Sequence, residues 1–130
     1  MAGAQADLFI DNAGDVAVPG NPFPHLDILS VNVTSTAASI AFDITLAGDP
    51  IATNWGKYNV ILRRVGASPL DTAAINNPWG RSYGLLGGSS AFIGSWVDQP
   101  NTNQQNWTYN GSWNLNTTTS NVFSPTNVVL

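Results

Sequence analysis

Three acids stand around one loop near the start of the chain: Asp11 and Asp15 in Asp11-Asn12-Ala13-Gly14-Asp15, and Asp27 beyond a stretch rich in proline and glycine. A hard cation takes about six to eight oxygen ligands. This turn can offer the carboxylates of Asp11, Asp15 and Asp27 with nearby backbone carbonyls, so the residue types predict bound Ca2+ in a structural role. The spacing is not that of an EF-hand, since the D-x-D-x-D-G order and its distal glutamate are missing. The competing reading is that Asp and Asn sit there because they close turns.

A second set is aromatic. Trp55, Trp79, Trp96, Trp107 and Trp113 are accompanied by Tyr58, Tyr83 and Tyr109 in a chain of 130 residues. Flat rings stack on the C–H faces of sugars, while nearby Asn, Gln and Asp bond the hydroxyls. Trp107, Tyr109 and Trp113 flank the Asn110-Gly111 turn. They share one sheet face if the register of the hairpin allows it. With Trp79, Arg81 and Asp98 they make a candidate carbohydrate-binding set. Trp55 and Trp96, embedded among apolar residues, are expected in the core.

Catalysis finds little support. His25 is the only histidine, all eight acids are aspartates, and there is no cysteine. No G-x-S-x-G elbow is present. A pair of carboxylates for glycoside hydrolysis would have to come from Asp43, Asp71 or Asp98, with no glutamate to serve as the acid. The glycines between Gly84 and Ser90 lack the lysine and following helix of a phosphate loop. The sequence therefore predicts a protein that is not an enzyme.

Composition narrows the setting. Charged residues make up 9% of the chain and the net charge is −4. A phosphate-backbone partner needs clustered Lys and Arg, so nucleic acid is excluded. No apolar run is long enough to span a membrane as a helix. An uncharged surface of Asn, Thr, Ser and Gly suits a secreted or cell-surface β protein. Sequons at Asn32, Asn106, Asn110 and Asn116 would matter only in a glycosylating host.

The elements that must position these residues are strands. Leu26 to Val33 and Ser39 to Leu46 each alternate apolar and polar residues, the period of a half-buried strand, and a short Thr/Ser/Ala turn joins them as an antiparallel hairpin. Asp7 to Ile10, Lys57 to Val65, Trp79 to Tyr83, Ala91 to Asp98, Val122-Phe123 and Val128 to Leu130 are further strand candidates. Ser68 to Ile75 carries a serine N-cap and a proline at the first helical position, which predicts one or two helical turns. Gln99 to Gln105 is expected to break structure. Trp107 to Leu115 is the clearest hairpin, because Asn-Gly takes the positive φ angles of a type I′ turn at low cost. Eight to nine strands without a repeat predict an all-β, antiparallel β-sandwich of jelly-roll or immunoglobulin-like type, as one domain over 7–130. Residues 1–6, with the small-x-small triplet Ala4-Gln5-Ala6, read as a leader or expression remnant.

In order, DNAGD, LDILSVNV, SIAFDITLAGD, NWGKYNVIL, NPWGR, FIGSWVD and WTYNGSWNL give the chain a family likeness from Phe9 to Leu115. It resembles secreted bacterial modules of the carbohydrate-binding family 9-like and glucodextranase C-terminal-like superfamily of β-sandwiches. The resemblance implies an extracellular, non-catalytic module, often attached to glycan-active enzymes or surface proteins and often holding structural calcium. Three departures stand out. Asn12 replaces the usual proline of the aspartate turn. Arg63-Arg64 stands where related modules more often place an acid. The chain stops at Leu130, where family members usually add strands, so an open sheet edge is expected there. That edge supports an alternative: a homo-oligomeric or filamentous surface subunit joined through its terminal strands.

Overall fold

The computed structural model describes residues 5–16, 23–53, 55–72, 77–80, 87–97, 104–119, 122–123 and 126–130. Alternation of side chains along the chain becomes nine strands among these residues: β1 (Gln5–Ile10), β2 (Ile28–Ser35), β3 (Ile40–Leu46), β4 (Lys57–Leu62), β5 (Ala91–Trp96), β6 (Gln104–Tyr109), β7 (Trp113–Thr119), β8 (Val122–Phe123) and β9 (Asn127–Val129). Two short 3-10 turns, Pro24–Leu26 and Pro50–Ala52, interrupt them. All strand pairs are antiparallel, and they form two sheets, ordered β1-β2-β3-β9-β8 and β4-β5-β6-β7. The chain is thus all-β, with the antiparallel two-sheet content of the sandwich class. No helix among the described residues is long and apolar enough to cross a membrane.

The residues fall into two compact units. One comprises Met1–Gly56, Val97–Asn101 and Asn121–Leu130; the other comprises Lys57–Trp96 and Thr102–Ser120. The first holds the five-stranded sheet. Its apolar row runs across the strands as Phe9, Val31, Ile44 and Val128, which are paired in register and so share a face. Phe42, Ile44, Leu46, Val128 and Leu130 are buried. Phe42 and Leu130 exchange both backbone hydrogen bonds at 3.0 Å, and Asn127 Nδ2 donates to Asp43 Oδ1 at 2.7 Å. The end of the described chain is therefore tied into its own sheet against β3, and the edges of that sheet are β1 and β8. The β2–β3 turn closes as expected from its small polar residues. Thr36 Oγ1 accepts the N–H groups of Ala38 and Ser39 at 3.2 and 3.1 Å.

The second unit holds the four-stranded sheet, a meander of β4 to β7. β5 is its most buried strand, with Phe92, Ile93 and Ser95 all 8% exposed or less. The loop of residues 110–112 turns β6 into β7, three residues rather than the two of the expected type I′ turn, with Tyr109 opposite Trp113 and Gly111 at φ 106°. Asn116 is an extra residue opposite the Asn106/Trp107 step, and the resulting bulge keeps Trp107 opposite Leu115 and Tyr109 opposite Trp113.

Several expectations change. The helix expected from Ser68 onward does not form over 68–72. The backbone of Asp71 instead pairs with Ser89 in both directions, at 2.9 and 2.8 Å, which holds it extended; residues 73–76 lie outside the described residues. Gln104 and Gln105 belong to β6 rather than to a break, because their backbone is in register with β5 on one side and β7 on the other. Leu26 and Asp27 precede β2, the first inside the 3-10 turn that Pro24 opens and the second as its cap. Trp79 and Gly80 form a turn closed by Gly80 N–H to Asn77 O at 2.9 Å, not a strand.

Candidate functional site

The aspartate turn is closed by hydrogen bonds. Asp27 is almost wholly buried, at 1% exposure, and its Oδ2 accepts the N–H of Gly14 at 2.8 Å across the loop. Gly14 has φ 83°, a conformation that suits glycine alone. Asp11 Oδ1 accepts the N–H of Asn12 at 3.0 Å, and the backbone of Asp11 donates to Leu29 O at 2.9 Å. Asp11 and Asp15 are exposed. Among the described residues, no group of three or more His, Asp or Glu side chains stands close enough together to hold a metal ion. Asp27 is the member of the expected triad with a visible task, holding the loop to the start of β2.

The aromatic residues converge more fully. On β5, Phe92, Gly94 and Trp96 alternate onto one face of the four-stranded sheet, and the register places Gln105 and Trp107 of β6 beside Gly94 and Phe92. Tyr109 and Trp113 continue that face across the hairpin. The turn Asn77 to Gly80 lays the indole of Trp79 over Gly94, where a Cβ would lie 2.7 Å from Trp79 Cη2 and 2.8 Å from Phe92 Cε1. Glycine is required here for close approach, not for backbone freedom. Ring centroids are separated by 5.4 Å for Trp79–Phe92, 5.1 Å for Trp79–Trp96, 6.3 Å for Phe92–Trp113 and 5.4 Å for Tyr109–Trp113. These separations are those of edge and tilted aromatic packing.

Each tryptophan of the candidate set spends its ring N–H on a protein acceptor. Gln105 Oε1 accepts from Trp79 Nε1 at 3.0 Å and from Trp107 Nε1 at 3.2 Å. Asp71 Oδ2 accepts from Trp113 Nε1 at 2.7 Å, and Asp71 is buried. The indoles are therefore pinned by one edge, and Trp79, Trp107 and Trp113 remain half-buried. Of the expected carbohydrate set, Trp79, Trp107, Tyr109 and Trp113 come together on one face; Arg81 and Asp98 lie outside the described residues.

Two assignments of tryptophan to the core need correction. Trp55 is 44% exposed, packed edge-on against His25 at 4.7 Å and Phe23 at 5.3 Å. It lies outside the strands, two residues before β4 begins at Lys57. Trp96 is half-buried and belongs to the aromatic face. Sequence reasoning also passed over Gln105 and gave Asp71 no part in this site. Gln105 lies two residues before Trp107 on the same strand face, which is a usable signal. Asp71 and Trp113 are 42 residues apart, and nothing local announces their contact.

Comparison with protein-family models, with characterised proteins and with solved structures gives no match to this chain.

Proposed function

We propose that this chain is a non-catalytic, extracellular carbohydrate-binding module that holds a glycan against the aromatic face of its four-stranded sheet. The supporting observation is the convergence of Trp79, Trp107, Tyr109 and Trp113 on that face, with the indole N–H groups locked to Gln105 and Asp71. Rings fixed in this way lose little conformational freedom when a sugar stacks on them, which favours binding. The resemblance to secreted carbohydrate-binding β-sandwiches points to the same ligand class and to the cell exterior.

Trp107→Ala is the informative variant. Gln105 Oε1 keeps the hydrogen bond from Trp79 when Trp107 is removed, so no buried acceptor is orphaned. The variant is expected to fold, by circular dichroism, and to lose retention in affinity electrophoresis on the polysaccharides that retain the wild type. Trp113→Ala is a poorer probe, because it strips the buried Asp71 carboxylate of a 2.7 Å hydrogen bond and so costs stability as well. Absence of retention of the wild type across a broad glycan panel would end this reading.

The proposal includes structural Ca2+ at the turn of Asp11, Asp15 and Asp27, supported by residue type and by the family resemblance and not by convergence of the three carboxylates. A ligand of the native state alone raises stability. Melting in calcium is therefore expected several degrees above melting in EDTA. Coincident melting curves would leave Asp27 as a turn-closing residue only.

A second reading, assembly of copies through a sheet edge, is favoured by one observation. β1 is an edge strand exposed along its whole length, with Leu8, Phe9 and Ile10 at 63%, 60% and 75% exposure.

A further inference from the structure

We infer that Asn110 is a site of spontaneous covalent modification, at which the chain converts its own asparagine to isoaspartate and so rebuilds one end of the aromatic hairpin with time. The inference goes beyond the carbohydrate reading and holds whatever ligand the aromatic face takes. Asparagine is among the thermolabile residues. Its side-chain amide carbon is open to attack by the nitrogen of the next residue, and a glycine there leaves that nitrogen unshielded by any Cβ. Asn110 is the one asparagine of the chain that precedes glycine.

The structure places this pair where the attack is open. Asn110, Gly111 and Ser112 form the exposed loop between β6 and β7. The Asn110 side chain is held there by its oxygen: Oδ1 accepts from Asn114 Nδ2 at 2.8 Å, and the same Asn114 amide donates to Ser112 O at 2.8 Å. The backbone N–H of Asn110 donates to Ser112 O at 3.2 Å. Neither the Gly111 nitrogen, which attacks, nor Asn110 Nδ2, which leaves, is engaged in these bonds. The reaction is unimolecular, with both partners already in one loop.

The steps balance with water alone. The Gly111 nitrogen gives its proton to solvent and bonds to Asn110 Cγ. Negative charge develops on Oδ1, where the Asn114 amide already donates, as in an oxyanion site. The Cγ–Nδ2 bond breaks, the leaving nitrogen takes a proton from solvent and departs as ammonia, and a cyclic succinimide remains. Water then opens the ring. Opening at the side-chain carbonyl gives aspartate; opening at the main-chain carbonyl gives isoaspartate, whose chain runs through Cβ and Cγ and leaves the old carbonyl as a carboxylate. Isoaspartate thus inserts a carbon atom and a negative charge between Tyr109 and Trp113, which are paired in register with rings 5.4 Å apart. Hairpin register depends on loop length, so the insertion disturbs this pair.

The test ages the whole chain at neutral and mildly alkaline pH. Isoaspartate is read by labelled methyl transfer from an isoaspartyl methyltransferase, its position by chymotryptic peptide mapping, and charge by isoelectric focusing. Isoaspartate is expected at residue 110 ahead of every other asparagine, faster at the higher pH, in a species more acidic than the fresh chain. Asn110→Gln is expected to abolish it with an unchanged circular dichroism spectrum. Asn114→Ala, which removes the donor to Oδ1, is expected to slow the reaction severalfold in the folded chain and to leave its rate in urea unchanged. Aged wild type, and not aged Asn110→Gln, is expected to shift in tryptophan emission. Absence of isoaspartate at residue 110, or an equal yield from Asn110→Gln, would overturn the inference. Folded Asn114→Ala reacting as fast as folded wild type would overturn the part given to Asn114.

Discussion

At the scale of single residues, His25 carries a consequence for stability that is independent of any ligand. It is 3% exposed and lies edge-on to Phe23 and Trp55. Burial lowers its pKa below the ordinary histidine value, because the charged imidazolium is deprived of water. The unfolded chain binds that proton at about pH 6.5, while the folded chain resists it to lower pH. Between the two values the unfolded state holds more protons, so stability rises with pH. The contribution is complete above the unfolded value and falls away as pH drops through it, levelling off below the depressed folded value. Urea unfolding between pH 8 and 5, in EDTA so that calcium does not compete, is expected to show this slope for the wild type. His25→Gln is expected to flatten it, and an equal slope in both proteins would place the titration elsewhere.

Strands and turns were the legible part of the sequence, and the reason is their local character. The β2–β3 pair follows from alternation over neighbouring residues, and the β6–β7 hairpin from Asn110-Gly111, each needing no knowledge of distant chain. Non-local pairing was not legible. β9 docks beside β3 across some eighty residues, as the Asn127–Asp43 hydrogen bond records, and no local pattern selects that partner. At Asp71 the local helix signal was overridden by a bridge to Ser89 and by the indole of Trp113. Hairpin spacing could bring Trp107, Tyr109 and Trp113 to one face only subject to register, and the acceptors of the indoles were not legible, since they come from another segment or from the polar partner on the same strand.

The glycine at the centre of β5 links element to site. A methyl group at Gly94 would run into Trp79 and approach Phe92. Overpacking of this kind typically costs about 1–3 kcal/mol. Gly94→Ala is therefore expected to lower the urea midpoint, shift the tryptophan emission as the Trp79 indole lifts, and weaken retention on any glycan that Trp107→Ala also affects. Unchanged emission and stability would show that the indole has room to move aside.

For the molecule as a whole, the question is what a sparsely charged β protein does with its free sheet edge. Charged residues are 9% of the chain, so repulsion between copies is weak. Edge strands are ordinarily blunted by lysine, proline or an inward charge. β1 has none of these beyond Asp7 at its start, and it is apolar on both sides: Phe9 shares the face of Val31, whereas Leu8 and Ile10 share the opposite face with Asn32 and Ser30. Such a strand can pair with the edge of a second copy by strand addition, where backbone bonds supply affinity and the apolar side chains supply burial. Light scattering over a wide concentration range is expected to show a mass that rises with concentration. Phe9→Lys places a charge at the apolar edge and leaves the residues proposed to hold the glycan unaltered, and it is expected to return the protein to monomer while leaving glycan retention unchanged. A wild type that stays monomeric at the highest concentration, with Phe9→Lys indistinguishable from it, would mean that β1 is protected in solution and would remove the case for assembly through this edge.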